Sequence, residues 1–328
     1  MSLTERLLNA STLKNVSLID DSKVFGKKSV VTTDIPALNV ALSGELDGGF
    51  YSGITTFASP SRHFKTLYAL QMAKAFQKKY SDGVILLLDS EFGSPPEYLE
   101  NVGIDTNRTI HIPITNLEEL KFELLQLLEE IKRKDNVFIL LDSLGNLASK
   151  KEVDDALDGK SVADMSRAKQ IKSLFRIITP KLNLNDIPMV VINHVYESQE
   201  LFSKTIMGGG TGPMLSSDTV LFITKKQEKE GTELKGYTFT LVNEKSRLVK
   251  EKSKIPILVN FDNGIDKYSA LVEWALESGH IVKPKNGWYK FPDDEKTYRL
   301  KDIKTEENML KLLNDDKFKE FVKEKYKL

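Results

Sequence analysis

The sequence predicts an α/β fold. It is a parallel sheet with helices on both faces and added antiparallel strands, flanked by a small N-terminal segment and a small α+β C-terminal domain. Three observations carry this. Apolar, β-rich runs recur at Val84–Asp89, Thr109–Ile114, Val137–Asp142 and Met189–Asn193. Between them the period changes: Leu117, Leu120, Leu124, Leu127 and Ile131 recur every three or four positions, as do Ala168, Ile171, Phe175 and Ile178. Such alternation is the signature of a parallel sheet buried on both faces. After Thr219 the helices stop. Thr219–Lys226, Tyr237–Glu244 and Pro256–Phe261 follow one another directly and read as antiparallel strands added to the end of the same sheet.

In chain order, residues 1–33 hold a short helix (Leu3–Ala10) and a polar connector, 34–268 the core, and 269–328 the small C-terminal domain. In that last region Ser269–Glu277 reads as a helix. Lys285-Asn286-Gly287-Trp288-Tyr289 reads as a turn into a short strand, and Glu306–Tyr326 as one amphipathic helix. No internal repeat is visible. The 328 residues suit about two domains.

Composition excludes several functions. With no cysteine there is no disulfide, thiolate zinc site or Cys nucleophile. His63, His111, His194 and His280 are too scattered in sequence for a His-built metal site. Lys+Arg 47 against Asp+Glu 47 argues against a wholly basic nucleic-acid coat but leaves room for a local basic patch. No apolar run approaches the ~20 residues of a membrane span, and Met1-Ser2-Leu3-Thr4-Glu5-Arg6 does not read as a signal peptide. The expectation is a cytosolic protein without membrane contact, in which the sequons at Asn9, Asn15 and Asn107 are chance.

The sharpest motif is Ser59-Pro60-Ser61-Arg62-His63-Phe64-Lys65-Thr66, between a strand (Ile54–Ala58) and a helix (Lys65–Lys79). Backbone N–H groups at such a helix start cradle phosphate, with Lys65 meeting the terminal phosphates and Thr66 holding Mg²⁺. Ser59 and Phe64 stand where the standard P-loop has glycine, so an ordinary loop is the competing reading. Two apolar strands then deliver acids at their carboxyl ends. Asp142 after Val137–Leu141 has the Walker B arrangement, and Glu91 lies just beyond Leu86–Asp89, placed to accept a proton from water. Helix capping alone would also explain single acids there. Asn193-His194 ends another strand, where it could sense a γ-phosphate.

Two long loops follow. Val195–Asp218 contains Met207-Gly208-Gly209-Gly210-Thr211-Gly212, where glycine lets backbone approach a ligand closely. Ser149–Asp164 carries Lys150 and Lys151, and the next helix sets Lys169, Lys172 and Arg176 on one face. A solvated face explains those basics as well as DNA contact does.

Together these residues resemble the RecA family, and within it the T-even phage branch. The resemblance rests on Leu141–Lys151, on Ile206–Met214 and on Val282–Tyr289, and runs from about Ser2 to Tyr289 and less closely to the end. It implies an ATP- and Mg²⁺-dependent strand-exchange recombinase that forms helical filaments on single-stranded DNA and pairs it with homologous duplex DNA. It also implies a viral protein in the cytoplasm of an infected bacterial host, working with a mediator and a single-strand-binding protein. By resemblance Glu91 activates water, Tyr98 stacks on adenine, Asp142 is the Walker B acid and His194 couples γ-phosphate to DNA. Lys245 and Arg247 reach the neighbour's ATP, and the N-terminal helix contacts a neighbouring protomer. DNA contact falls to Lys150, Lys151, Arg167, Lys204, and Met207 through Gly212. The phage branch also lacks glycine at the position of Phe64, whereas Ser59 departs from it, which bears on hydrolysis. Measured against that branch, the expectation is of a chain without its long acidic tail, and so without the tuning of DNA or partner affinity that such a tail gives. A ring helicase on the same core, or a filament accessory protein with weak hydrolysis, are the competing functions.

Overall fold

The computed structural model describes residues 1–22, 24, 29–160, 166–198 and 205–328. Helix α1 (Leu3–Ala10) is capped by Ser2 and buries none of its residues. Helix α2 (Pro36–Ser43) starts on proline, ends on Gly44 at φ 78° and is buried throughout. The α/β alternation then runs β1 (Gly53–Ala58), α3 (Lys65–Lys79), β2 (Val84–Asp89), α4 (Pro96–Val102), β3 (Thr109–Pro113), α5 (Leu117–Glu130), β4 (Val137–Asp142), α6 (Lys150–Leu157), α7 (Ser166–Asn185) and β5 (Pro188–Asn193). A short hairpin, β6 (Val195–Glu197) and β7 (Thr205–Met207), leads to α8 (Thr211–Ser216). Strands β8 (Thr219–Glu230), β9 (Glu233–Lys245), β10 (Lys254–Asn260) and β11 (Gly264–Ile265) complete the sheet.

Nine strands form one sheet in the order β11-β10-β9-β8-β1-β5-β4-β2-β3. The six from β8 to β3 are parallel. The expectation that Thr219–Lys226 is an antiparallel addition is therefore corrected: β8 lies parallel to β1, with Thr55 opposite Thr219, and the antiparallel pairing begins at β9. A connection through α8 returns the chain to the start of the sheet, so β8 can run with β1. Two apolar layers cover the sheet. α5 and α7 supply one through Leu120, Leu124, Ile171 and Phe175; α2 and α3 supply the other through Leu38, Tyr68 and Met72.

The C-terminal region continues that second layer: Trp274, Met309, Phe318, Val322 and Tyr326 join the same buried cluster. It comprises α9 (Leu271–Glu277), the hairpin of β12 (Val282–Lys285) and β13 (Trp288–Lys290), α10 (Leu300–Ile303), α11 (Glu306–Asn314) and α12 (Asp316–Tyr326). Trp274 Nε1 donates to the Tyr326 hydroxyl at 2.8 Å, tying the last helix to α9. The single helix expected over Glu306–Tyr326 is two, because Asp315 turns out of the helix to accept the Phe318 N–H at 2.9 Å. The two loops expected after Ser149 and Val195 also hold structure. Ser149 caps α6 by accepting the Glu152 N–H at 3.0 Å, and β6, β7 and α8 occupy much of Val195–Asp218.

Candidate nucleotide site and basic segments

Four strand ends, those of β1, β2, β4 and β5, converge on one cleft of about 270 Å³, lined by Arg62, Lys65, Thr66, Glu91, Tyr98, Asp142 and His194. Residues after β1 form its floor. Phe64 stands at the start of α3 with φ 57° and no side-chain cap, so the first N–H groups of the helix face the cleft unclaimed by a capping side chain. The glycine-like backbone falls at Phe64 and at Arg62 (φ 60°); Ser59 is not among the left-handed residues. Ser59 is buried, and its hydroxyl donates to the Pro60 carbonyl at 3.0 Å. The Phe64 ring rests 4.9 Å from that of Phe239. His63 Nδ1 contacts the Ser61 carbonyl at 2.8 Å, and burial lowers the His63 pKa. Lys65 Nζ folds back onto the Ser59 and Pro60 carbonyls at 3.2 and 3.0 Å. Burial also lowers its pKa, against the pull of Glu91 and Asp142.

At the end of β4, Asp142 Oδ2 accepts the Thr66 hydroxyl at 2.9 Å. Its Oδ1 is buried and has no hydrogen-bond partner among the described residues. Burial pushes this carboxyl up to about 6. A carboxylate oxygen left bare beside a hydroxyl and an ammonium fits a hard cation with oxygen ligands bound next to phosphate. Glu91, two residues past β2, is engaged instead: Oε1 accepts the Ser143 hydroxyl and lies 3.2 Å from His194 Nε2. The His194 bond, with Ser143 and nearby charge, outweighs burial and holds Glu91 down at about 2. Tyr98, on α4, borders the cleft with part of its surface exposed, and desolvation against the cleft raises its hydroxyl pKa.

Beside the histidine lies Gly145. A Cβ there would sit 2.5 Å from His194 Cδ2, so only glycine lets the imidazole reach Glu91 along this path. The loop carrying Gly145 is tied down by Arg167, which donates to the carbonyls of Leu147 at 2.8 Å, Gly145 at 3.1 Å and Leu144 at 3.3 Å.

The residues expected at DNA divide. Lys150 is exposed at the start of α6, while Lys151 pairs with Asp155 one turn on. Arg167 is committed to its three carbonyls, and Lys204 lies outside the described residues. Met207 is buried. Gly208 is stitched to the end of β5, its N–H donating to the His194 carbonyl at 2.9 Å and its carbonyl accepting from Asn193 Nδ2 at 2.8 Å. Gly209 and Gly210 have φ of 85° and 72°, Thr211 is exposed, and Gly212 packs on the backbone of Lys172. Lys169, Lys172 and Arg176 are exposed on α7.

Lys245 and Arg247 lie elsewhere. Lys245 pairs with Val220 near the start of β8, and Arg247 Nε meets Asp218 Oδ1 at 3.0 Å, whose partner oxygen accepts the Ile54 N–H. Arg247 therefore sits at the amino end of β1, about 17 Å along the strand from the loop at its carboxyl end, whereas Lys245 lies level with the middle of β1, since Val220 also pairs with Thr56. Lys245 Nζ donates to the carbonyls of Met214 and Leu215 at 3.0 and 2.8 Å, whereas the Arg247 side chain is 76% exposed.

A model of the RecA N-terminal domain matches residues 14–266 of this chain. The chain belongs to the RecA family. A second model, the C-terminal domain of the bacteriophage T4 recombination and repair protein (UvsX), matches residues 268–322. Among relatives, the "Recombination and repair protein" of Enterobacteria phage T4 is 49% identical over 99% of this chain and 86% of its own length. "Protein RecA" of Mesomycoplasma hyopneumoniae is 25% identical over 94% of each chain, and that of Mycoplasma mycoides 26% over 88% of this chain and 86% of its own. This RecA-family chain is a recombinase, with the family's general ATP and Mg²⁺ binding and DNA-dependent ATPase activity. Among the described residues no helix is long and apolar enough to cross a membrane.

Four residues of this RecA-family site escape the sequence reading: Ser143, Gly145, Asp89 and His111. Ser143 follows the Walker B acid, a position that sequence could have flagged. Asp89 also has a local signal, an aspartate whose carboxylate accepts the N–H groups two and three residues on, whereas Gly145 and His111 act through contacts between distant segments.

Proposed function

We propose that the chain is a single-stranded-DNA-dependent ATPase that assembles as a helical filament on single-stranded DNA and exchanges strands with homologous duplex DNA. It serves viral recombination, repair and recombination-dependent replication in the cytoplasm of the infected bacterial host, with a mediator and a single-strand-binding protein as further partners. In this reading residues 59–65 hold the phosphates, Tyr98 stacks on adenine, and Thr66 and Asp142 hold Mg²⁺, which neutralises phosphate charge when bound. Glu91 is the base toward water. A carboxylate held at about 2 is a weak base, so turnover requires His194 and Ser143 to release it. That supports His194 as the group linking γ-phosphate to the glycine-rich segment, since Gly208 hydrogen-bonds to its carbonyl.

The position of Lys245 and Arg247 carries the assembly reading. Arg247, at the opposite end of its own β1, cannot reach the loop there, and Lys245 Nζ is engaged by the Met214 and Leu215 carbonyls, so we assign their cationic assistance to a neighbour's nucleotide. The exposed Leu3 and Leu7 of α1 supply apolar surface for the same contact, and residues 269–328 act as a small domain packed on the core. On the DNA side, Lys150, Lys169, Lys172, Arg176 and the segment 207–212 are the better candidates, while Lys151 and Arg167 are engaged within the protein.

Phosphate release with and without single-stranded DNA tests the ATPase; equal rates would remove the DNA dependence. Mixing tests the trans assignment. Lys65→Ala and Lys245→Ala/Arg247→Ala chains should each be nearly inactive alone and regain activity when co-assembled. A mixture showing only the sum of the separate activities overturns the assignment.

A further inference from the structure

Glu91 is launched from a turn whose support lies outside the cleft. Asp89, the last residue of β2, has a side chain only 4% exposed. Its Oδ1 accepts the N–H of Glu91 at 2.9 Å and of Phe92 at 2.8 Å. Its Oδ2 lies 3.1 Å from Nε2 of His111. An ionised carboxylate offers no proton, so Nε2 is the donor in this bond. Pairing of Leu87 with His111 puts the histidine on the same face of the sheet as Asp89, two residues along β2.

The turn needs that support. Phe92 stands at φ 54°, an unfavourable conformation for a bulky residue, and its side chain is 60% exposed, so packing does little to hold it. A cavity of about 250 Å³, lined by Asp89, Phe92, Pro95, Leu99 and His111, lies beneath the segment from Phe92 to the start of α4. Ser90, at the start of the turn, is held by Asp142, Ser143 and Asn146, but the N–H groups of Glu91 and Phe92, with space rather than side chains beside them, are held by Asp89. Removing His111, whose side chain is half exposed, takes from Asp89 its side-chain donor, and Oδ2 is then satisfied by water entering the cavity or by rotation of the carboxylate, either of which loosens its hold on the turn.

We propose that His111 is a positioning residue for ATP hydrolysis: through Asp89 it holds the turn that aims Glu91. This rests on the reading of Glu91 as the base. His111→Leu removes the donor, while His111→Gln restores an N–H at similar reach. The test measures kcat and KM for ATP on single-stranded DNA, together with equilibrium ATP binding. The leucine variant should lose about tenfold in kcat with KM and binding little changed, and the glutamine variant should recover most of the loss. In a Glu91→Gln background the leucine change should have no further effect, because there is no base left to aim. If the leucine chain fails to fold, His111→Thr, a strand former too short to reach Asp89, makes the same comparison. A Glu91→Gln chain as active as the parent sinks the base assignment itself. An inactive Glu91→Gln chain with parental kcat in His111→Leu overturns the positioning role alone. So does an equal loss in the leucine and glutamine variants accompanied by weaker ATP binding.

Discussion

Strands β2 and β4 end in the same tetrapeptide. Leu87-Leu88-Asp89-Ser90 and Leu140-Leu141-Asp142-Ser143 lie side by side, with Asp89 opposite Asp142 in the register. Both acids are almost wholly buried, yet their surroundings are opposite. Asp89 is satisfied by two backbone N–H groups and His111, while Asp142 has one hydroxyl and one bare oxygen. One carboxylate holds the protein in shape; the other is kept short of partners, at a cost in desolvation that only a bound cation would offset. Equal sequence and equal burial therefore assign no role; the donors arriving from neighbouring elements do.

The largest expected effect breaks this comparison at Asp142. Asp142→Asn should lower ATP hydrolysis by at least about a hundredfold, since a metal contact is worth several kcal/mol in the transition state. Without nucleotide its thermal midpoint should equal or exceed the parent's, because a buried charge has gone. The rise in midpoint on adding Mg²⁺ and ATP should disappear. Asp89→Ala should do the reverse. Losing the acceptor for two N–H groups should cost about 2–3 kcal/mol in urea unfolding, while the Mg²⁺–ATP-dependent rise survives in reduced form.

A third test sharpens the comparison through pH. Glu91 is held at about 2 against an ordinary 4.5, so the folded state binds its proton later than the unfolded chain does. The stability this contributes is full above 4.5 and is lost as pH falls from 4.5 toward 2. Replacing His194 with alanine should flatten that part of the acid-unfolding profile and leave the neutral region nearly unchanged. The smallest effect is expected at the end of β1. Phe64→Gly relieves a left-handed residue but removes the contact with Phe239, two changes of about 1 kcal/mol each and opposite in sign. The unfolding midpoint should barely move, and a large shift would mean the ring does more than pack.

The elements around the cleft were legible because each depends on its own stretch of chain. The bounds of Lys65–Lys79, Val84–Asp89 and Val137–Asp142 follow from apolar period and flanking residues alone. The sequence pattern and the structure part in two places, one decided by a distant segment and one locally. The direction of β8 depends on α8 carrying the chain back along the sheet, and the break at Asp315 on a cap competing with an otherwise continuous helical pattern. In the site, Lys65, Thr66 and Asp142 could be read from order and spacing. The hold of Ser143 on Glu91, the Arg167 tie to the 144–147 loop and the His111–Asp89 bond could not, because each joins residues 20 or more positions apart. In the phosphate loop the left-handed backbone falls at Arg62 and Phe64, so of the two positions where the standard pattern has glycine only Phe64 takes a glycine-like conformation.

Gly145 turns steric clearance into a design variable. The imidazole of His194 rests against Glu91 only because position 145 contributes a hydrogen atom where every other residue brings carbon. An alanine would act as a wedge one methyl group thick. The ring would have to swing out, and Glu91 would lose the bond that most strengthens its acidity. A single-codon change could thus separate the base from its sensor without touching either residue, at the smallest increment that side-chain chemistry provides.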